Sequence, residues 1–264
     1  MPTAALNGIE VYYEQRGTGP RVLFANGSGS TLAEAALIVD VLAAGCEVVA
    51  HDQRGLGKTE VPPGPYTMAD YAADAIALLD HVGWERCRVL GISFGGMVAQ
   101  ELAVTVPERV ERLALLCTSP GGEGGSSYPL HELGDRPPAE QAAIGLSILD
   151  TRFTPEWLAS HPSDQALVEM MVARRSQPDD PEQARGKAEQ LGARRNHDVW
   201  DRLGRITCPT LVAGGRYDGI APPANSEAIA SRIADADLRF YEGGHAFLAQ
   251  DPAAFPDVQA FLKS

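Results

Sequence analysis

RVLGISFGGMVAQELA, Arg88 to Ala103, decides how the rest of the chain is read. An aliphatic run reaches Gly91, presents one serine, and passes Gly95-Gly96 before turning helical. Serine is a poor strand residue and an average helix residue, so propensity does not account for Ser93. Gly91-Ile92-Ser93-Phe94-Gly95 fits the Gly-x-Ser-x-Gly turn between a strand and a helix. That turn is tight enough to force the serine into an unfavourable conformation, and the residues two before and two after it must lack a Cβ. It lifts the hydroxyl to a helix N-terminus, where the dipole and free N–H groups favour a developing anion. Ser93 is the candidate nucleophile. A plain Gly-Ser-Gly turn is the alternative, and partners elsewhere in the chain decide between them.

Working outward, strand and helix signals alternate. Strands are expected at Ile9–Gln15, Val22–Ala25, Glu47–Ala50, Arg88–Ile92 and Val110–Cys117, with helices at Leu32–Leu42, Met68–Val82 and Phe94–Val106. This rhythm predicts a parallel sheet with helices on both faces. It breaks from 118 to about 200, where a Gly/Ser/Pro-rich entry precedes four helical stretches: Ala139–Leu149, Pro155–Ala159, Ser163–Arg175 and Pro181–Arg194. It returns with Thr210–Gly214, Pro223–Ile233, Leu238–Tyr241 and Ala253–Leu262. The expected organisation is an α/β core, 1–117 and 201–264, interrupted by a helical cap, 118–200.

Ligands of an open parallel sheet bind beyond the carboxyl ends of its strands. Ser93 lies there, as do Asp218 after Leu211–Gly214 and His245 after Leu238–Tyr241. Serine, aspartate and histidine in that order suit nucleophile, orienting acid and general base. Of six histidines only His245 follows a late strand, behind a Gly-Gly that gives its loop room. Among competing acids, Asp235 lies at a helix end, Glu242 sits too near His245 in sequence, and Asp52 reads as a structural turn residue. The backbone N–H of Phe94 is one expected oxyanion donor. The second is assigned to Ser28, within Asn26-Gly27-Ser28-Gly29, where glycines let the backbone approach closely.

The chain has 264 residues and 44% hydrophobic content, enough for one large core plus an insertion. A net charge of −13 argues against nucleic acid and anionic membrane as partners, while leaving room for a locally positive pocket. Four scattered cysteines without a Cys-x-x-Cys read as free thiols of a reducing compartment. With no signal peptide and no span-length apolar stretch, a soluble cytoplasmic protein is expected. Gly55-Leu56-Gly57-Lys58-Thr59 lacks the full phosphate-loop pattern, and no zinc spacing occurs, so neither metal nor cofactor is expected.

DQRGLGKTE (52–60), GISFGGMVAQ (91–100), RLGRITCPTLVAGGRYDGIAPP (202–223) and YEGGHAFLAQDP (241–252) resemble the α/β-hydrolase fold family along essentially the full length. Within it the chain looks most like the 3-oxoadipate enol-lactonase and small carboxylesterase branch. The resemblance implies an eight-stranded, mostly parallel sheet, a cap after the sixth strand, and a small-molecule ester or lactone as substrate. Cleavage of a C–C bond, cofactor-free haloperoxidase chemistry and a non-turnover receptor are the alternatives within the fold. Asn26 stands where relatives commonly have histidine, and it can support the oxyanion loop by hydrogen bonding. Expected pocket residues in the cap are Leu130, Leu146, Phe153, Trp157, Met170 and Met171. Arg174, Arg175, Arg194 and Arg195 could receive a substrate carboxylate, although exposed arginines on a solvated face is the more ordinary reading.

Overall fold

In a computed structural model of the chain, which describes residues 2–134, 136–175 and 180–264, eight strands form one sheet. They are β1 (Thr3–Leu6), β2 (Ile9–Arg16), β3 (Arg21–Ala25), β4 (Glu47–His51), β5 (Cys87–Ile92), β6 (Val110–Leu116), β7 (Thr210–Gly215) and β8 (Ala236–Tyr241), in the order β1-β2-β4-β3-β5-β6-β7-β8. Only the β1–β2 and β2–β4 pairings are antiparallel. β1 has no counterpart in the sequence reading. It is four residues long and owes its strand state to pairing with β2, Thr3 opposite Tyr12.

Alternation along the parallel strands divides the core into two layers. Leu23, Val89, Leu113, Leu115 and Val212 face one side, against α2 (Met68–His81), α3 (Phe94–Thr105) and α8 (Pro223–Arg232). Phe24, Leu90, Ala114, Leu116 and Leu211 face the other, against α1 (Leu32–Ala43) and α10 (Ala254–Lys263). Such strands are buried on both faces, which is why they read as continuous apolar runs. The chain leaves β3 for β4 on one side and returns to β5 on the other, so the order reverses between β3 and β5. The crevice opened at that reversal is where an α/β sheet binds ligands. The loop carrying Ser28 and the turn carrying Ser93 both end there.

Between β6 and β7 the chain forms α4 (Pro138–Leu149), α5 (Pro155–Ser160), α6 (Pro162–Arg175) and α7 (Pro181–Arg195); the four-residue α9 (Phe247–Gln250) follows β8. α7 starts on a side-chain cap from Asp180, with Pro181 at its first position. It is tied along its length to the loop after β4. Gln183 exchanges hydrogen bonds with the Gly57 backbone, Arg185 donates to the Val61 and Pro62 carbonyls, and Gly186 lies so close to Gly55 that a Cβ would stand 1.9 Å from its oxygen. No helix among the described residues is long and apolar enough to cross a membrane.

Two histidines buried in this framework make its stability acid-sensitive. Burial pulls His51 and His197 down to about 4 from the ordinary 6.5. Below 6.5 the unfolded chain takes up protons that the folded chain refuses, so stability present above that pH is lost as pH falls toward 4. Each histidine withdraws about 2 kcal/mol by pH 5. Urea titrations at pH 7 and pH 5 should show the combined loss, with about half of it gone in His197→Asn.

Candidate active site

Ser93 has φ 55° and ψ −115°, a conformation that strains any residue with a Cβ by about 1–3 kcal/mol. Two glycines permit it. A Cβ on Gly91 would stand 2.3 Å from the Gly95 oxygen, and one on Gly95 would stand 2.0 Å from the Ala25 oxygen. Backbone is opposite backbone at both places, so nothing can swing aside. Gly95→Ala should cost about 4 kcal/mol or more, read as a fall in Tm of about 10 °C or as failure to accumulate folded protein.

The turn aims Ser93 Oγ at the loop after β8, where His245 Nε2 lies 2.9 Å away. His245 Nδ1 is 2.8 Å from Asp218 Oδ2, and Asp218 Oδ1 accepts the Ile220 and Ala221 N–H groups at 2.8 Å each. A carboxylate holding two backbone donors is an acceptor, so Nδ1 carries the imidazole proton and Nε2 is left to accept from Ser93. The β7 and β8 loops approach this closely because Gly215 and Gly244 lack side chains: a Cβ on Gly215 would meet the Gly244 oxygen at 2.1 Å. Asp218 is buried, and the His245 N–H donates to Leu149 O at 2.6 Å, anchoring the loop on α4. The three expected residues thus meet in one line from three strand ends. Glu242 pairs with Arg152 and Arg216 instead. Asp52 accepts the Leu32 and Lys58 N–H groups, as a structural turn acid would.

Gly27, in the loop after β3, lies beside the nucleophile: a Cβ on it would be at ordinary contact distance, 3.7 Å, from Ser93 Cβ. Its N–H donates to Asn26 Oδ1 at 2.9 Å, and the Gly29 N–H donates to Gln190 Oε1 at 2.7 Å. The Ser28 and Phe94 N–H groups are left without a protein acceptor among the described residues. Asn26 Nδ2 closes the loop onto Thr31 O at 3.2 Å, while Gln53 Nε2 holds Asn26 O at 2.8 Å. Asn26 therefore does support the loop by hydrogen bonding.

Cys117, after β6, brings its sulfur within 4.8 Å of ligand atoms of Asp218 and His245. Both imidazole nitrogens are already engaged by Ser93 and Asp218. Burial, and then the Asp218 charge, push the Cys117 thiol well above its ordinary range, so it stays protonated and does not compete as a nucleophile.

A cavity of about 410 Å³ opens over the Ser28 loop, lined by Ser28, Gly29, Leu130, Gln141, Gln190 and Leu191 among others. Of the expected cap residues only Leu130 lines it. Leu146, Phe153, Trp157 and Met171 pack instead into a separate cluster with Leu149 and Leu158, and Met170 is exposed. Gln190 escaped the sequence reading. Its signal is helical phase alone, one turn from Lys187 and beside Leu191 on the cavity-facing stripe of α7. The arginines divide: Arg195 is exposed, but Arg194 is buried, against the expectation of a solvated face. The side chains of Arg174 and Arg175 lie outside the described residues.

A strained serine turn, a buried carboxylate and an imidazole at the ends of β5, β7 and β8 define a class, and residues 20–252 match the α/β hydrolase fold family. The chain belongs to that family. It is 32% identical to a putative carbamate hydrolase RutD of Variovorax paradoxus over 260 residues, 94% of this chain and 93% of that one. It is 30% identical to 3-oxoadipate enol-lactonase 2 of Acinetobacter baylyi, covering 92% and 89%. The crystal structure of the enol-lactonase from Burkholderia xenovorans LB400 superposes with a TM-score of 0.81 at 25% identity over the whole of both chains.

Proposed function

We propose that the chain is a serine hydrolase that cleaves a small carboxylic ester or lactone through an acyl-enzyme, without a cofactor. The observation carrying this reading is the Ser93–His245–Asp218 line, with spacings of 2.9 and 2.8 Å, beside two unengaged N–H groups. Ser93 Oγ attacks the carbonyl carbon as His245 Nε2 takes its proton. The oxyanion is held by the Ser28 and Phe94 N–H groups. His245 then protonates the leaving oxygen, and Asp218 stabilises the imidazolium. In the second half, water gives a proton to His245 and attacks the acyl carbon, freeing Ser93. Similarity to an enol-lactonase over nearly the whole chain favours a lactone. Similarity to a carbamate hydrolase favours a second substrate class for the same acyl chemistry, a carbamate C–N bond in place of the ester C–O bond.

The test is multiple-turnover hydrolysis of p-nitrophenyl acetate and butyrate, together with labelling by a fluorophosphonate. Catalytic turnover and stoichiometric labelling at Ser93 support the reading. A protein that neither turns over nor labels would refute it.

A further inference from the structure

His245 follows two glycines, and Gly243 has φ 127°. Neither glycine holds a conformation of its own, while a general base must be kept within about 0.5 Å of its working position. The precision has to come from outside the loop.

The cap supplies it at two levels. Helix α4 ends in carbonyls that no residue of the helix can satisfy. Two of them are taken by the loops that carry Asp218 and His245: Ile148 O accepts the Gly219 N–H at 3.0 Å, and Leu149 O accepts the His245 N–H at 2.6 Å. Just beyond, the Thr151 N–H donates to Tyr217 O at 2.9 Å. Gly244 lies so close to this end of α4 that a Cβ on it would stand 2.1 Å from Leu149 O.

The second level is made of side chains. The Gly244 N–H donates to Gln250 Oε1, on α9, at 2.9 Å. An amide could present either end to that donor, and two carboxylates decide which. Gln250 Nε2 donates to Asp150 Oδ2 at 3.0 Å and to Asp164 Oδ1 at 3.1 Å, so the oxygen is left for Gly244. Asp150 is fully buried and is held in turn by Arg152, whose Nε and Nη2 reach its two oxygens at 2.9 and 2.6 Å. Burial opposes its charge, but the Arg152 bonds outweigh burial and keep the carboxyl below its ordinary range. An ion pair sunk this deep is weak evidence for stability, since apolar residues would pack there as well. What it provides is direction: a chain of bonds from Arg152 through Asp150 and Gln250 to the residue before His245.

We propose that Asp150 and Gln250 are positioning residues for His245, keeping its Nε2 on Ser93 by fixing the backbone that carries the imidazole. The effect on rate rests on the hydrolase reading; the hold on the loop does not.

Gln250→Leu keeps the bulk and removes both ends of the amide. It should lower kcat on p-nitrophenyl butyrate by about 10- to 10²-fold, with KM within about threefold of wild type. Exchanging amide and carboxylate separates positioning from packing. Gln250→Glu sets two carboxylates face to face, and Asp150→Asn must turn an NH₂ group on either Gln250 or Arg152, so each should lose rate. In Asp150→Asn/Gln250→Glu an amide again faces a carboxylate, and part of the loss should return, where independent effects would multiply. Wild-type kcat in Gln250→Leu, a loss confined to Tm, or losses that multiply in the double variant would overturn the proposal. Exchange of the Gly244 amide proton reads the hold without turnover, and Gln250→Leu should speed it by about tenfold or more. That contrast in a protein that neither turns over nor labels keeps the hold and removes the hydrolase reading. Turnover without the contrast keeps the hydrolase reading and removes the hold.

Discussion

Ser93→Ala should lower kcat on p-nitrophenyl butyrate by about 10⁴- to 10⁶-fold, leaving KM and the fold nearly unchanged. The Ser28 and Phe94 N–H groups proposed to hold the oxyanion survive the substitution, so a residual rate above that of buffer is expected, but no covalent label. Turnover at the wild-type level in Ser93→Ala would move the nucleophile elsewhere. Comparison with Ser93→Gly separates chemistry from backbone strain. Alanine and serine both carry a Cβ into φ 55°; glycine does not. Ser93→Gly should therefore be more stable than Ser93→Ala by about 1–2 kcal/mol while being as inactive. A gap in thermal or urea midpoints between the two dead variants would measure the strain held at this turn.

Asp218→Asn should cost about 10³- to 10⁴-fold in kcat at neutral pH, and its cause is a matter of which way an amide must face. Oδ1 accepts two backbone donors, from Ile220 and Ala221. An asparagine there has to keep its oxygen toward them, which turns its NH₂ group toward His245 Nδ1. The imidazole can then stay neutral only by carrying its proton on Nε2, facing Ser93, where an acceptor is needed. Geometry is kept and the base is disabled. Asp218→Ala removes the steering amide, so it should be no worse than Asp218→Asn in rate although less stable. If Asp218→Asn retains more than about a tenth of wild-type kcat, Asp218 does not orient the base as the geometry implies.

The strands and helices flanking the site were legible because each is a local pattern. The β3 and β5 runs are apolar on both faces, and the Gly91–Gly95 spacing states a steric need that a single serine makes chemically meaningful. Ser93, Asp218 and His245 could be picked out because topology sends strand ends to one edge of the sheet, whatever the cap does. The cap residues could not be sorted the same way. Phe153 and Trp157 have the composition of a pocket yet pack in one cluster away from it, and only tertiary placement separates them from Leu130. Gln190 reaches Gly29 across 161 residues of chain. Arg194 and Arg195 are chemically identical neighbours on one helix, and a rotation of one residue decides which is buried. β1 failed for a simpler reason: four residues with two buried carry too little pattern to declare a strand without its partner.

The way α7 is tied down divides the cap into two walls with different freedom to vary. Gln183, Arg185 and Gly186 bind it to the loop after β4, and Gln190 binds it to the loop that presents Ser28. A change on that wall reaches the loop proposed to hold the oxyanion, so a substitution there is expected to alter rate together with selectivity. The facing wall, Gln141 and Ala142 on α4, makes no such bond to the Ser28 loop among the described residues. Natural drift or laboratory redesign has its latitude on that side, where a new acyl shape can be admitted while the machinery beneath is left as it was.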